Sequence, residues 1–346
     1  MNKVTKTLLL FCLFTAPVNA SDLNLSYDFR FRYEYTDDGE KANTRNRNRI
    51  RTRITAQYKY NERLDFFARL ATAEENTTSA NQTLGTDFTL SDIGLDQIYF
   101  KYDFKEDMEL LVGKMENPFF KPNMSQLIFD GDYNPKGLAI NLKHGDVFSN
   151  ISHITFDSNP SKTINLKGLQ FGLSKSINDF TDAKISFAVY DFDEIRGSAP
   201  NEVTWNGKHF GNSLDGNGRY LYDFSVRNLS AEVKTKVMAM PVTLFLDVIN
   251  NSDADENDKG FQSGFNLLIN QKWTFKYLYK DIESDATFDA LVDSNLGGGG
   301  TGHKGHQFNL SYPMTERFSV DVVWFDNKKK MITDYNKIFV DFKYKL

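Results

Sequence analysis

Apolar and polar residues alternate along most of the chain. From Leu23 the odd positions read Leu23, Leu25, Tyr27, Phe29, Phe31, Tyr33 and Tyr35. The even positions read Asn24, Ser26, Asp28, Arg30, Arg32 and Glu34. A period of two over that length predicts a strand with one apolar and one polar face. The last segment repeats the pattern, with Ile338, Val340, Phe342, Tyr344 and Leu346 set against Asp341, Lys343 and Lys345. Trp273 to Lys280 and Phe318 to Trp324 do the same.

Sixteen such segments are predicted, near 23–35, 46–60, 64–72, 93–104, 108–115, 136–143, 148–156, 165–175, 182–192, 221–237, 242–250, 260–270, 272–281, 306–312, 317–326 and 336–346. Those near 136–156 alternate least cleanly. Reading that pair as loop would lower the count to fourteen, and a hairpin hidden in 193–219 would raise it to eighteen. Several segments exceed the five or six residues usual in soluble sandwiches. Short turns, such as Asn61-Glu62-Arg63 and Asn270-Gln271, alternate with long polar loops at 73–92, 193–219, 251–259 and 282–302. Long strands joined alternately by short turns and long loops predict an all-β, transmembrane antiparallel β-barrel, in which lipid meets only paired backbone. Tyr60, Phe104, Trp273, Tyr312 and Phe318 fall beside the short turns, where an aromatic girdle is expected.

Composition narrows the alternatives. With 30 Phe, 16 Tyr and 3 Trp among 346 residues, the chain has ample apolar surface to bury and is no disordered polymer. Its only long apolar run lies at the N-terminus, so helical spans are excluded. A formal charge of −5 gives no overall basic footprint for nucleic acid. Lys3 and Lys6, the apolar Leu8 to Phe14 and the small residues of Val18-Asn19-Ala20 predict a secretory signal peptide, residues 1–20, cleaved after Ala20. Residues 21–346 then form one barrel domain. Cys12, the single cysteine, lies in the leader, so the body has no thiol chemistry.

The second predicted strand carries Arg45, Arg47, Arg49, Arg51 and Arg53 at every second position, and Arg30 and Arg32 share the polar face of its neighbour. Facing lipid near the midplane, each would cost about 2–4 kcal/mol. They must therefore face the lumen or outside water. Two further readings stay open: a structural ladder tied to carboxylates, and, for the loop-proximal Arg45 and Arg47, contact with lipopolysaccharide phosphates. The connection from Met115 to Pro135 contains Pro118-Phe119-Phe120 and Leu127-Ile128-Phe129. It is too apolar for a solvated loop and is expected to fold into the barrel, as the third external loop. That would carry Glu116, Asp130 and Asp132 toward the arginines and make a mixed-charge constriction.

Other signals are weaker. His303-Lys304-Gly305-His306, beside Gly297 to Gly300, reads as a flexible external loop rather than a metal site, since zinc needs three or four ligands. The Asp253 to Asp258 run lacks a calcium-loop pattern and reads as a solvated acidic loop, with weak divalent binding left open. The glycine run lacks the following Lys-Ser/Thr of a phosphate loop. No cofactor is implied. For a barrel-fold lipase or protease the available pairs are Ser152 or Ser149 with His153. Ser152 and His153 point to opposite faces, and Ser149 lies about 13 Å from His153 at about 3.3 Å per residue. The chain is read as no enzyme, with a barrel-fold enzyme or a plugged structural barrel as the alternatives.

The chain resembles the putative porins of Gram-negative bacteria. The likeness rests on the arginine-rich strand followed by Asn81-Gln82-Thr83-Leu84, and on Gly113-Lys114 through Asn117-Pro118-Phe119-Phe120. It rests also on Asp130 through Gly137, and on Gly297 to Thr301 followed by Gly305-His306. Two departures are Lys136, where Glu is expected, and the terminal Leu346, where outer-membrane proteins usually end in Phe. The resemblance implies an outer-membrane diffusion channel for ions and small hydrophilic solutes. Similarity to general porins implies a homotrimer among outer-membrane lipids and lipopolysaccharide. An even strand count puts both termini in the periplasm.

Overall fold

A computed structural model describes residues 22–72, 76–85, 92–159 and 162–346. The expected signal peptide lies outside the described residues. Sixteen long strands close into one antiparallel barrel. They are β1 (Leu23–Asp38), β2 (Arg45–Asn61), β3 (Leu64–Thr72), β5 (Ile93–Lys105), β6 (Met108–Lys114), β7 (Lys136–His144), β8 (Val147–Asn159), β9 (Lys162–Asn178) and β10 (Thr181–Phe192). The circuit continues through β11 (Phe224–Val237), β12 (Met240–Asn251), β13 (Lys259–Ile269), β14 (Trp273–Ile282), β15 (His303–Pro313), β16 (Phe318–Lys329) and β17 (Thr333–Lys345). A short β4 (Gln82–Leu84) pairs only with the loop end of β2. The weakly alternating 136–156 segment forms two full strands, because pairing to neighbours on both sides holds it in the wall.

Each strand pairs with the next, and β1 pairs with β17 from Asp28↔Lys345 to Asp38↔Tyr335. Reciprocal backbone hydrogen bonds join Tyr27 and Leu346 at 3.1 and 2.9 Å, so the first part of β1 meets the residue after β17 at the short-turn rim. Among the described residues the circuit closes with no strand left unpaired on either side, as lipid requires.

The faces are inverted relative to a soluble protein. On β10, Ile185 and Phe187 are 47% and 51% exposed, whereas Ser186 and Ala188 between and after them are 2% and 0% exposed. The outward apolar face is the one lipid would cover. Beside the short turns Tyr60, Phe104 and Trp273 are exposed, and the Trp273 and Tyr312 rings lie 4.6 Å apart. The inward face is polar on the β1–β2 side. On the β8–β14 side it carries apolar residues such as Ile154, Leu166, Tyr190, Phe224 and Ile282. Those meet apolar residues from loops, not one another across an empty barrel.

Three loop segments supply that packing. Loop 3 (residues 115–135) brings Phe119, Leu127, Phe129 and Tyr133; residues 193–223 bring Ile195 and Tyr220; residues 283–302 bring Phe288 and Leu291. The last two, expected as long polar loops, instead pack inward, and the reading of His303 to His306 beside the glycine run as a flexible external loop is corrected. Leu296 is fully buried and His303 is 1% exposed at the start of β15. The cause is the apolar run Ala286 to Val292, which withdraws from water into the barrel mouth.

Candidate functional site

Pairing places the arginines directly across from one another. Arg30 faces Arg51, Arg32 faces Arg49 and Glu34 faces Arg47, while Asp28 faces Arg53. Seven guanidiniums on two adjacent strands would repel strongly at such spacing. The fold answers with carboxylates of the same parity. Arg32 forks onto Asp341 of β17 at 2.6 and 2.7 Å, with Arg30 at 3.9 Å from the same carboxylate. The Arg32 guanidinium also lies 3.6 Å from the centre of the Phe339 ring. Glu34 takes Arg47 at 2.6 Å, Arg45 at 3.6 Å and Arg49 at 3.8 Å. Arg51 meets Asp28 at 2.6 Å. Arg30, Arg32 and Arg49 are buried, and Arg47, Arg51 and Arg53 are half-buried.

Loop 3 supplies the remaining anion. Asp132 meets Arg53 at 2.5 Å and Arg51 at 3.7 Å, and accepts the Ala80 N–H at 3.2 Å. Burial would raise this carboxyl, but Arg53 and Arg51 outweigh it and hold it well below the usual carboxylate range. The adjoining segment covers the arginines from above: Arg49 donates to the Asn81 carbonyl at 3.1 Å, and Arg30 donates to the Asn81 side chain. A second pair, Arg69 and Asp96 at 2.5 Å, is bridged to loop 3 by Asn134.

The far side of loop 3 reaches the opposite wall. The Asn123 N–H donates to Glu232 of β11 at 2.7 Å, Ser125 donates to Asp247 of β12, and the Gln126 N–H donates to Gln262 of β13 at 3.2 Å. At its root, the Phe120 backbone exchanges two hydrogen bonds with the Gln170 side chain, at 2.7 and 2.9 Å. Phe119 stands edge-on to Tyr190 with centroids 4.8 Å apart. A Cβ on Gly168 would overlap the Phe119 ring, so glycine is what gives the ring its seat. The loop therefore crosses the lumen from β2 to β11–β13.

Asp130 does not join the arginine wall. Its carboxylate accepts the Asp132 N–H at 2.7 Å and the Ser294 N–H at 2.9 Å, and its own N–H donates to the Leu291 carbonyl at 2.7 Å. Burial, with repulsion from Asp132 and Asp293, pushes it up to about 8. Only Gly131 separates it from Asp132, in a tight turn that sends the two carboxylates in different directions. Glu116 is exposed at the loop's root and takes no part in these ion pairs. Segment 283–302 also reaches Thr78, through the Ser294 hydroxyl at 3.1 Å, and receives the Lys337 ammonium at Asn295 O at 3.1 Å.

Asp28, Glu34 and Asp341 were visible as polar-face residues, yet only pairing registers show which arginine each one meets. Asn81 and Asn134 fall within stretches that carry the family resemblance, but nothing in the sequence pattern singles out Arg69 or Asp96. Ser152 is buried inward and His153 is exposed outward. Among the described residues, no group of three or more His, Cys, Asp or Glu is placed to hold a metal ion. His303 Nε2 donates to the Gly300 carbonyl at 2.9 Å. His306 Nδ1 lies 2.9 Å from the Tyr277 hydroxyl.

A closed sixteen-stranded barrel with an apolar outer face and a loop across its lumen is the architecture of an outer-membrane channel. The chain belongs to the putative porin family: the family's sequence pattern matches residues 18–220 and 222–336. Among solved structures it is similar to OprB of Pseudomonas putida, with 10% identity and a TM-score of 0.65, covering 99% of this chain and 96% of that one. It is also similar to an engineered variant of the Rhodopseudomonas blastica porin, with 14% identity and a TM-score of 0.56, covering 93% of this chain and 100% of that one. At such identities the likeness is one of fold. No curated protein matches the chain.

Proposed function

We propose that this porin passes ions and small hydrophilic solutes by passive diffusion, through a mixed-charge constriction in which Arg51 and Arg53 face the loop 3 carboxylate of Asp132. Arg49 and Arg47 continue the basic wall toward the long-loop end of β2, with Arg30 and Arg32 beside it on β1. The observation that carries this reading is the crossing of the lumen by loop 3, anchored at one end on Arg53 and at the other on β11–β13. Charges lining a narrow water path set ion preference more than the chain's total of −5 does. Because the arginines are largely matched by carboxylates, selectivity is weak. Both termini lie in the periplasm, since they share the short-turn rim. The protein works as a homotrimer in contact with lipopolysaccharide.

Reversal potentials in a salt gradient test the constriction. Neutralising Arg49, Arg51 and Arg53 shifts the potential toward cation preference, and neutralising Asp132 shifts it toward anions. Folded variants with unchanged potentials would contradict the assignment. Folded protein that never conducts would favour a plugged barrel. Hydrolase activity lost in His153→Ala would favour the enzyme reading.

A further inference from the structure

Below loop 3, on the short-turn side, the lumen wall opens into a recess of about 390 Å3. Phe119 and Phe120 form its roof, and Phe148, Asn150 and Lys184 its side. The Lys184 ammonium lies 4.0 Å from the centre of the Phe120 ring and 4.2 Å from that of Phe148. The two rings stand at 80° to each other. A Cβ at Gly172 would overlap the Phe148 ring, so β9 is hollowed beneath it.

Four carboxylates and three lysines line this recess, with Lys105, Glu106 and Asp107 exposed at the β5–β6 turn. Asp103 and Glu109 are both taken by Lys101, at 3.7 and 3.8 Å, and Glu109 also accepts from Asn141 at 2.7 Å. Asp107 meets His144 at 3.1 Å. Glu232, paired across the strands with Lys184, is instead held by Lys234 at 3.3 Å and by the Asn123 N–H at 2.7 Å. Among the described residues no carboxylate lies within ion-pair distance of the Lys184 or Lys143 ammonium. Lys184 is thus a half-buried cation with aromatic neighbours and no carboxylate within ion-pair distance, bordering a cavity of small-ligand size.

We propose that this recess is a binding subsite for small organic monocarboxylates with an apolar body. The carboxylate meets the Lys184 ammonium, and the body rests against Phe120 and Phe148. A charge-assisted hydrogen bond to a half-dehydrated ammonium supplies the affinity, and the ring edges set the preference for an apolar body over a bare anion. The subsite lies on the short-turn side of the constriction, so its ligands meet it from that side without passing Arg53.

Calorimetric titration of the folded, detergent-solubilised protein tests this without depending on conduction. Benzoate, benzamide and acetate are the probes. Benzoate is expected to bind in the wild type, acetate more weakly, and benzamide not at all. Lys184→Gln should weaken benzoate by about tenfold, and Phe148→Leu, which removes that ring, should weaken it while keeping the ammonium. Heat-modifiable migration in gels shows that each variant retains its barrel. No benzoate binding, equal binding of benzamide, or a Lys184→Gln variant with wild-type affinity would overturn the proposal. In a bilayer, benzoate added at the short-turn side should block current more than from the loop side. Failure to conduct at all bears on the channel reading, while the calorimetry still decides the subsite.

Discussion

Replacing Asp132 by asparagine removes the one loop 3 carboxylate that touches the arginine wall. Arg53 loses its 2.5 Å partner, whereas Arg51 keeps Asp28 at 2.6 Å. Breaking a fully buried pair costs about 3–5 kcal/mol. Here the side chains of Arg53 and Asp132 are 15% and 17% exposed, and lumen water reduces the loss to about 1–2 kcal/mol. That loosens loop 3 and leaves the wall intact. The electrical effect is separable from the loss of anchoring. An ion passing about 5 Å from the carboxylate in water-like surroundings feels about 0.8 kcal/mol. A Debye length of about 8 Å trims this to about half. Anions gain and cations lose about twofold each, so their permeability ratio changes about fourfold. In a roughly tenfold KCl gradient the reversal potential should move by about 25–30 mV toward the anion limit. Planar-bilayer recording of Asp132→Asn reads this directly. A shift below about 5 mV in folded, conducting protein would be too small for this Coulomb estimate and would refute the placement of Asp132 at the constriction.

Further outcomes follow from the same contacts. Gly168→Ala pushes Phe119 off its seat, so single-channel conductance should rise while heat-modifiable migration is unchanged. Asp341→Asn strands the buried Arg32 and should cost about 3–5 kcal/mol, read as a lower urea midpoint of the folded barrel. Asp130 is raised to about 8, so its contribution to docking loop 3 on segment 283–302 is full at acidic pH and is lost as pH rises through that value. Open-channel noise should therefore grow between about pH 5 and pH 9 in the wild type and stay flat in Asp130→Asn.

The wall was legible because a strand's period of two survives burial on either face. Leu23 to Tyr35 announces its lipid face whatever its neighbours are, and most strand ends lie within a few residues of those the alternation marks. The inward course of loop 3 was legible for a related reason, since Phe119, Phe120 and Leu127 to Phe129 have no place in water. The same argument applied to Ala286 to Val292 would have placed segment 283–302 inside. Its flanking Asp, Ser and Gly residues masked the signal, because a loop has no period to separate a buried face from a wet one. The split between Asp130 and Asp132 was illegible for a different cause. Two residues apart on a strand they would share a face, but in a tight turn one meets Arg53 and the other Ser294. Which carboxylate neutralises which arginine depends on registers between strands as distant in sequence as β1 and β17.

The central claim is that the conducting path runs past Arg53 beside loop 3. The cysteine-poor chain, with Cys12 as its only thiol, allows a direct test. Arg53→Cys is recorded at single-channel level before and after a negatively charged thiosulfonate reagent. The account predicts discrete conductance steps that fall on labelling, with the reversal potential moving toward cation preference. Complete labelling with unchanged step size and reversal potential would contradict it.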